Sequence, residues 1–377
     1  MYKHILKIAL VLLLFVGCQP KKAADKNKIK TQQSLKYATG FTLEKNSNFT
    51  LLTVKNSFPE DHNEYNYILY KKGVVIPDSL NNYTAIEVPI KTIAVTSTTH
   101  IPSLEMLNEV ESLVAFAGLN YISSKKTRSR IDAGKVKELG NNNGLNTEIL
   151  FELQPDVLVG FTVDSDYKTK DNLVANGQKV IMNADWTETS PLGKAEWIKF
   201  FGALYDKNEL ADSLFNKIET DYLETKERAK TALRKPTVMA GAMYQDQWFL
   251  PNGNSWAAQL IADANGEYLW AKTSGTGSLS LSFESVLVTA QNANYWIGPA
   301  QYTSLAQMKA DSENYTLFEA YKKQNVFSFS TKKGATGGVI YYELAPNRPD
   351  LVLKDIVKML HPTLLPHHSF EFFERLE

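Results

Sequence analysis

Cysteine is nearly missing from this chain: among 377 residues there is one, Cys18. A single thiol excludes an internal disulfide framework and any cysteine-rich zinc or iron–sulfur site. Net charge is missing too. Forty-one basic residues balance forty-one acidic ones, which removes the broad electrostatic case for nucleic-acid binding. The chain has no G-x-G-x-x-G after a strand and no G-x-x-x-x-G-K-[ST] loop, the two phosphate cradles that would point to a nucleotide enzyme. It has no G-x-S-x-G elbow, and its only Cys sits in a leader, so a Cys/His nucleophile pair is excluded. Gly334-Ala335-Thr336-Gly337-Gly338 is glycine-rich but lacks the phosphate-binding Lys and the following helix, and reads as a mobile loop. What is present is a normal core: 44% apolar and 22% charged residues, at a length that suggests two domains or one large one.

The amino terminus is tripartite. Lys3, His4 and Lys7 precede an apolar run, Ile8 to Val16, which ends at Gly17-Cys18. This reads as an export signal over residues 1–17. From Ile5 to Gly17 the segment is shorter than the roughly 20 apolar residues of a spanning helix. Phe15-Val16-Gly17-Cys18 resembles the bacterial lipobox, departing from it in Phe15 where Leu is usual. That resemblance implies cleavage before Cys18 and lipidation of its thiol, with the protein held on the periplasmic side of a bacterial membrane. Removal of residues 1–17 takes away Lys3 and Lys7 and no acid, leaving 39 bases against 41 acids. Residues 18–36 are then the modified Cys and a polar, Lys-rich tether.

Beyond the tether the rhythm changes twice. Residues 37–89 hold short β-branched and aromatic runs, Thr50–Val54 and Tyr67–Tyr70, around a turn at Phe58–Asn63. They read as a β-rich extension packed on the first lobe. From 90 to 190, continuous apolar runs (Thr92–Val95, Leu113–Ala117, Asp156–Gly160, Lys179–Met182) alternate with helical stretches (Ser103–Val110, Tyr167–Asn176). That is the pattern of a parallel α/β sheet. Residues 191–234 are helical, with Leu210, Leu214, Ile218 and Tyr222 four apart in a long amphipathic helix expected over Asn208–Leu233. The α/β rhythm returns over 235–377, through Thr237–Gly241, Ser255–Ala264, Asn294–Gly298, Val326–Phe329 and a closing helix over Leu351–Leu360. Asn146-Thr147-Glu148 before Asp156–Gly160 matches Ser282-Phe283-Glu284 before Asn294–Gly298. Each unit has a capping residue, a Glu two positions on, and a strand closed by Gly. The expected fold is therefore α/β: two Rossmann-like lobes joined by a long backbone helix, with an amino-terminal β-rich extension.

This order of segments resembles the iron-siderophore and cobalamin class of periplasmic substrate-binding proteins of ABC transporters. The likeness is carried by Thr92–His100, Asn146–Gly160, Pro191–Ala211, Leu281–Gly298 and Arg348–Pro362. It implies a monomeric binding protein without cofactor or catalytic residues. Its ligand would be a ferric siderophore or similar iron complex, or a corrinoid or haem, held between the lobes. Its partners would be ABC permease subunits, docked through one acidic residue on each lobe, here Glu148 and Glu284. The rival classes are a two-lobed α/β enzyme and a surface lipoprotein that serves an outer-membrane transporter.

Ligands of open α/β sheets bind beyond the carboxyl ends of the strands. That rule points to Thr98, Thr99, His100, Tyr121, Phe161 and Trp186 in the first lobe. In the second it points to Tyr244, Trp248, Tyr302, Tyr341, Tyr342 and Arg348. Aromatic walls suit a ring-bearing ligand, although any one of these rings, Trp248 especially, could instead pack a lobe core. A bare metal ion is poorly served, because His100 is the only His in these loops. An anionic chelate would need cations, and the six arginines of the chain leave Arg128, Arg130 and Arg348 as candidates.

Overall fold

The computed structural model describes residues 35–55, 63–141, 144–160 and 168–377. Cys18, the tether as far as residue 34, the turn at Phe58 and Phe161 lie outside them. The described chain opens with β1 (Phe41–Lys45), β2 (Phe49–Lys55) and β3 (Glu64–Tyr70), an antiparallel meander joined in parallel by β4 (Thr84–Glu87). Period-two alternation sets its inner face: Phe41 and Leu43 are buried while Thr42 and Glu44 are half-buried. Tyr67 is buried, and its hydroxyl accepts the backbone N–H of Met182 at 2.9 Å, which ties this sheet to the first lobe.

The first lobe is a five-stranded parallel sheet. Its strands are β5 (Ile93–Val95), β6 (Leu113–Phe116), β7 (Lys137–Glu138), β10 (Val157–Gly160) and β11 (Val180–Met182), in the order β11-β10-β5-β6-β7. A small hairpin, β8 (Gly140–Asn141) with β9 (Gly144–Leu145), follows β7. The helices are α1 (His100–Met106), α2 (Lys125–Asp132), α3 (Thr147–Leu153) and α4 (Lys168–Ala175). Ile93, Ala94 and Val95 are wholly buried because both faces of β5 are covered, hence the unbroken apolar run. β5 takes β6 on one side and β10 on the other, so the winding reverses between β5 and β10. A crevice opens there at the carboxyl ends.

Three helices connect the lobes: α5 (Pro191–Glu196), α6 (Ile198–Leu204) and α7 (Asn208–Ala229). Pro191 stands at the first turn of α5, where its missing N–H costs nothing, and the Ser190 hydroxyl caps Gly193 N–H at 2.9 Å. Every residue of α6 is buried. α7 is 22 residues long, about 33 Å at the usual rise. It stops four residues short of Leu233, which is fully exposed.

The connecting helices also seize the beginning of the described chain. Glu196, wholly buried, accepts the backbone N–H groups of Lys36 (3.1 Å), Tyr37 (2.8 Å) and Ala38 (2.9 Å), and pairs with Lys199 at 2.9 Å. Glu188 accepts those of Thr39 and Gly40, both at 2.7 Å. Glu219 of α7 takes the Lys36 ammonium at 2.7 Å and the Tyr37 hydroxyl at 2.8 Å.

The second lobe repeats the winding. Its strands, with their helices, are β12 (Thr237–Ala240), β13 (Ala242–Tyr244), β14 (Gln247–Pro251), α8 (Trp256–Asp263), β15 (Glu267–Tyr268), β16 (Ser278–Leu281), α9 (Phe283–Ala290) and β17 (Tyr295–Ile297). Then come α10 (Leu305–Asp311), α11 (Glu319–Lys322), β18 (Val326–Ser328), α12 (Ile340–Leu344), α13 (Pro349–Leu360) and β19 (Glu374–Arg375). The main sheet runs β15-β12-β17-β18-β19, with β19 antiparallel. β13, β14 and β16 form a separate antiparallel sheet. The sequence reading contained neither β19 nor that small sheet. The matched repeat has a structural meaning: α3–β10 and α9–β17 occupy equivalent places, each strand pairing with the first strand of its lobe across the point of reversal.

Candidate binding site

The crevice of the first lobe faces the second lobe across a cavity of ≈ 530 Å³, within the usual size range of small-molecule sites. Thr96, Ser97 and Thr98 leave the end of β5, Phe116, Ala117 and Gly118 the end of β6, and Asn141 the hairpin after β7. Tyr121 stands beside them, 70% exposed. The opposite wall is Gly338, Val339 and Tyr342, the last 58% exposed. Burial pushes the Tyr342 hydroxyl above its ordinary pKa, so it stays a neutral donor. The wall is one of hydroxyls, an amide, backbone and aromatic rings.

A second cavity of ≈ 630 Å³ lies beside the first, between α2 and the 333–344 segment. The two are separated by a contact between lobes. Thr336 donates its hydroxyl to the Asn120 carbonyl at 2.8 Å. A Cβ on Gly338 would stand 2.4 Å from the Tyr121 carbonyl oxygen, and one on Gly334 would stand 2.6 Å from the Ser123 Cα. The glycines of this loop therefore admit a close backbone approach. The loop expected to be mobile is a bridge between lobes, folded on itself by Gly334 N–H to Gly338 O at 2.8 Å, and a helix, α12, does follow it.

Beside the bridge, Glu343 of α12 crosses to the first lobe. Its carboxylate accepts Ser123 N–H at 2.5 Å and Ser124 N–H at 3.0 Å. Glu343 is 4% exposed. Burial pushes its carboxyl up to about 7, against the pull of those two N–H groups, and the nearby Glu105 pushes the same way as burial. Asn347 makes a second crossing, donating to the Thr99 carbonyl and accepting from the Ser103 hydroxyl, both at 2.8 Å.

Of the residues expected at the site, the structure brings Thr98, Tyr121 and Tyr342 to one cavity. The other expected residues that the structure describes lie elsewhere. His100 is wholly buried, its ring 5.4 Å from that of Phe201. Burial pushes its imidazole below the ordinary range, against Asp185 and Asn183. The helix expected from Ser103 begins at His100, because Pro102 is tolerated in a first turn; the extra turn carries His100 inward. Thr99 donates to Asp185 Oδ2 at 2.6 Å, and Trp186 sits in the short turn over Asp185–Thr187. Neither lines a cavity described above.

Trp248 and Tyr302 are core residues. Trp248 is fully buried, packs on Trp296 at 5.3 Å and donates to the Ala240 carbonyl at 3.0 Å. Tyr302 is 2% exposed and hydrogen-bonds Asp311. Tyr341 is buried and stacks on Phe329 at 4.4 Å, behind the cleft wall. Tyr244 is exposed on the small antiparallel sheet, its ring 6.3 Å from that of Phe249. Arg130 ion-pairs with Glu111 and donates to the Glu111 and Leu113 carbonyls at the amino end of β6. Arg348 forks onto the buried Asp350 at 2.9 and 2.8 Å. Both arginines are spent on structure.

Glu148 and Glu284 are exposed in the first turns of α3 and α9, and neither makes an ion pair among the described residues. Asn146 and Ser282 cap those helices, accepting Ile149 N–H and Ser285 N–H at 3.3 Å. A helix leading into a parallel strand starts at the carboxyl edge of its sheet, so both acids belong to the edge that carries the cleft. Thr96, Ser97, Phe116 and Gly118 are not among the residues expected from sequence, although they stand at or just past the ends of β5 and β6, where the strand-end rule points. Glu343 and Asn347 gave no signal, since their partners are more than 200 residues away.

Among the described residues no helix is long and apolar enough to cross a membrane. The chain is 27% identical over 302 residues to an uncharacterized lipoprotein of Methanocaldococcus jannaschii, covering 78% of this chain and 70% of that one. Among solved structures it is similar to a possible iron-binding (periplasmic solute-binding) protein from Staphylococcus epidermidis. There the TM-score is 0.56 at 16% identity, over 72% of this chain and 99% of the other. It is similar also to the triscatecholate siderophore binding protein FeuA from Bacillus subtilis, with TM-score 0.52 and 14% identity over 74% and 94%. At these identities the structural likenesses show the fold. The periplasmic binding protein family matches residues 93–331, which hold both reversal points and the cleft walls as far as the bridge, and the chain belongs to that family, the solute-binding components of ABC importers.

Proposed function

We propose that this protein is a lipid-anchored receptor that captures a ferric siderophore or similar iron complex between its lobes and delivers it to an ABC permease. The observation that carries the reading is the ≈ 530 Å³ cavity at the carboxyl ends of β5 and β6, walled on the far side by Tyr342. Aromatic rings supply buried area, and hydroxyls and an amide supply orientation, which suits a chelate with rings or methylene spacers around a metal. The structural neighbours, a possible iron-binding protein and a siderophore binding protein, support the ligand class. The lipobox-like Phe15–Cys18 and the lipoprotein name of the archaeal relative support the anchor. Glu148 and Glu284, exposed and unpaired on matching helices, are the proposed contacts for basic residues of the permease. Each exposed pair contributes little, about 0–1 kcal/mol, but two at a fixed separation set register.

The test is a titration of the purified chain with ferric chelates, haem and a corrinoid, read by Trp fluorescence. Saturable binding of a ferric chelate is the expected result. Binding of haem or corrinoid alone would move the protein to that branch of the family, and no binding of any of the three would overturn the ligand class.

A further inference from the structure

The cavity wall has a property that the shape alone does not convey. Among the described residues lining it there is no Lys, Arg, His, Asp or Glu. The chain's arginines that stand nearest in sequence are committed. Arg128 donates to the Leu119 carbonyl at 2.7 Å and meets Asp132 at 3.4 Å, Arg130 is held by Glu111, and Arg348 by Asp350. The cations of the neighbouring cavity, Lys125, Arg128 and Lys333, lie beyond the Gly334–Gly338 bridge, in a lining that also holds Glu105, Asp132 and Glu343. Two stretches of chain that adjoin the cleft strands, 142–143 and 161–167, lie outside the described residues. By sequence they contain Asp164 and Asp166 and no basic residue.

We propose that this cleft selects an iron complex of zero net charge, of the ferric trihydroxamate type, and discriminates against polyanionic complexes of the ferric tris-catecholate type. This rests on the iron-complex reading above and specifies its substrate class. A polyanion entering the cleft sheds hydration from its charged oxygens, and among the described residues of the wall no cation compensates that loss. A neutral complex loses far less. Its oxygens meet the hydroxyls of Ser97 and Thr98 and the amide of Asn141, and its methylene spacers cover Phe116, Val339 and the ring of Tyr342.

The experiment uses the full chain in detergent, titrated with a neutral ferric trihydroxamate and with a trianionic ferric tris-catecholate. The neutral complex is expected to bind at least about 100-fold more tightly. Its affinity should be nearly the same at about 0.05 M and about 0.5 M salt, because no charge pair is there to be screened. A Thr98→Lys variant places a cation on the wall. It should gain at least about tenfold for the trianion at low salt and lose that gain at high salt. Equal or tighter binding of the trianion by the wild type overturns the charge selection while leaving the iron-complex reading standing. Failure of both complexes to bind overturns the two together.

Discussion

Glu343 offers the sharpest test of the lobe-to-lobe contact. Its carboxyl, buried at the crossing with Ser123 and Ser124, is pushed from the ordinary 4.5 to about 7. At about 1.4 kcal/mol per pH unit, ionised Glu343 costs the native arrangement on the order of 3 kcal/mol relative to the protonated form. The sign follows from proton binding. Below 4.5 both the native and the unfolded chain hold the proton, and nothing is lost. Between 4.5 and 7 the native chain still holds a proton that the unfolded chain has released, so this contribution falls as pH rises, and above about 7 the loss is complete. A Glu343→Gln variant keeps the shape and removes the titration. Urea midpoints of both proteins should differ little at pH 5. By pH 8 the variant should be the more stable, by about 2–3 kcal/mol. Every other titrating group is common to the two, so the difference between them isolates Glu343. A difference independent of pH, or a wild type that gains on the variant as pH rises, would refute the reasoning. It would mean that the two N–H bonds outweigh burial. Because donors and acceptor belong to different lobes, the same linkage bears on their separation: pulling Glu343 into water releases its proton near neutral pH.

Two further outcomes are expected. Replacing Glu196 by Ala strands three backbone donors and leaves the buried Lys199 ammonium only the longer pair with Asp212, at 3.4 Å. It should cost about 3–5 kcal/mol in urea unfolding and open the chain to trypsin at Lys36, and an unchanged midpoint would contradict the clamp. Reversing Glu148 and Glu284 together to Lys should abolish uptake in cells while the ligand Kd measured on purified protein stays within about twofold; loss of ligand affinity instead would make these acids structural.

The sheet strands were legible because a parallel strand covered on both faces must be apolar throughout. Ile93–Val95 and Val157–Val159 could hardly be anything else. The repeat was legible because a cap followed by Glu obeys local physics. The cleft wall was only partly so. Tyr341 and Tyr342 are neighbours of one type, yet a step along α12 turns one into the core and the other into the cleft, 8% against 58% exposed. Nothing in their identity decides which. Trp248 is an aromatic near a strand end just as Tyr121 is, and becomes core because Trp296 and Phe318 close around it. Arg130 finds Glu111 nineteen positions away, a partner that exists only once β6 and α2 have packed. Local chemistry announces elements, and the direction in which a ring or a charge points is settled by what the fold brings opposite it.

Two of the three glutamates that grip residues 36–40, Glu196 and Glu219, stand on the helices between the lobes, and the third, Glu188, stands just ahead of them at the end of the first lobe. A pull on the chain ahead of Leu35 is therefore delivered to the axle of the molecule. A load applied at an axle has little lever arm on either jaw. A leash attached there would restrain where the protein can wander without prising its jaws apart or pressing them shut.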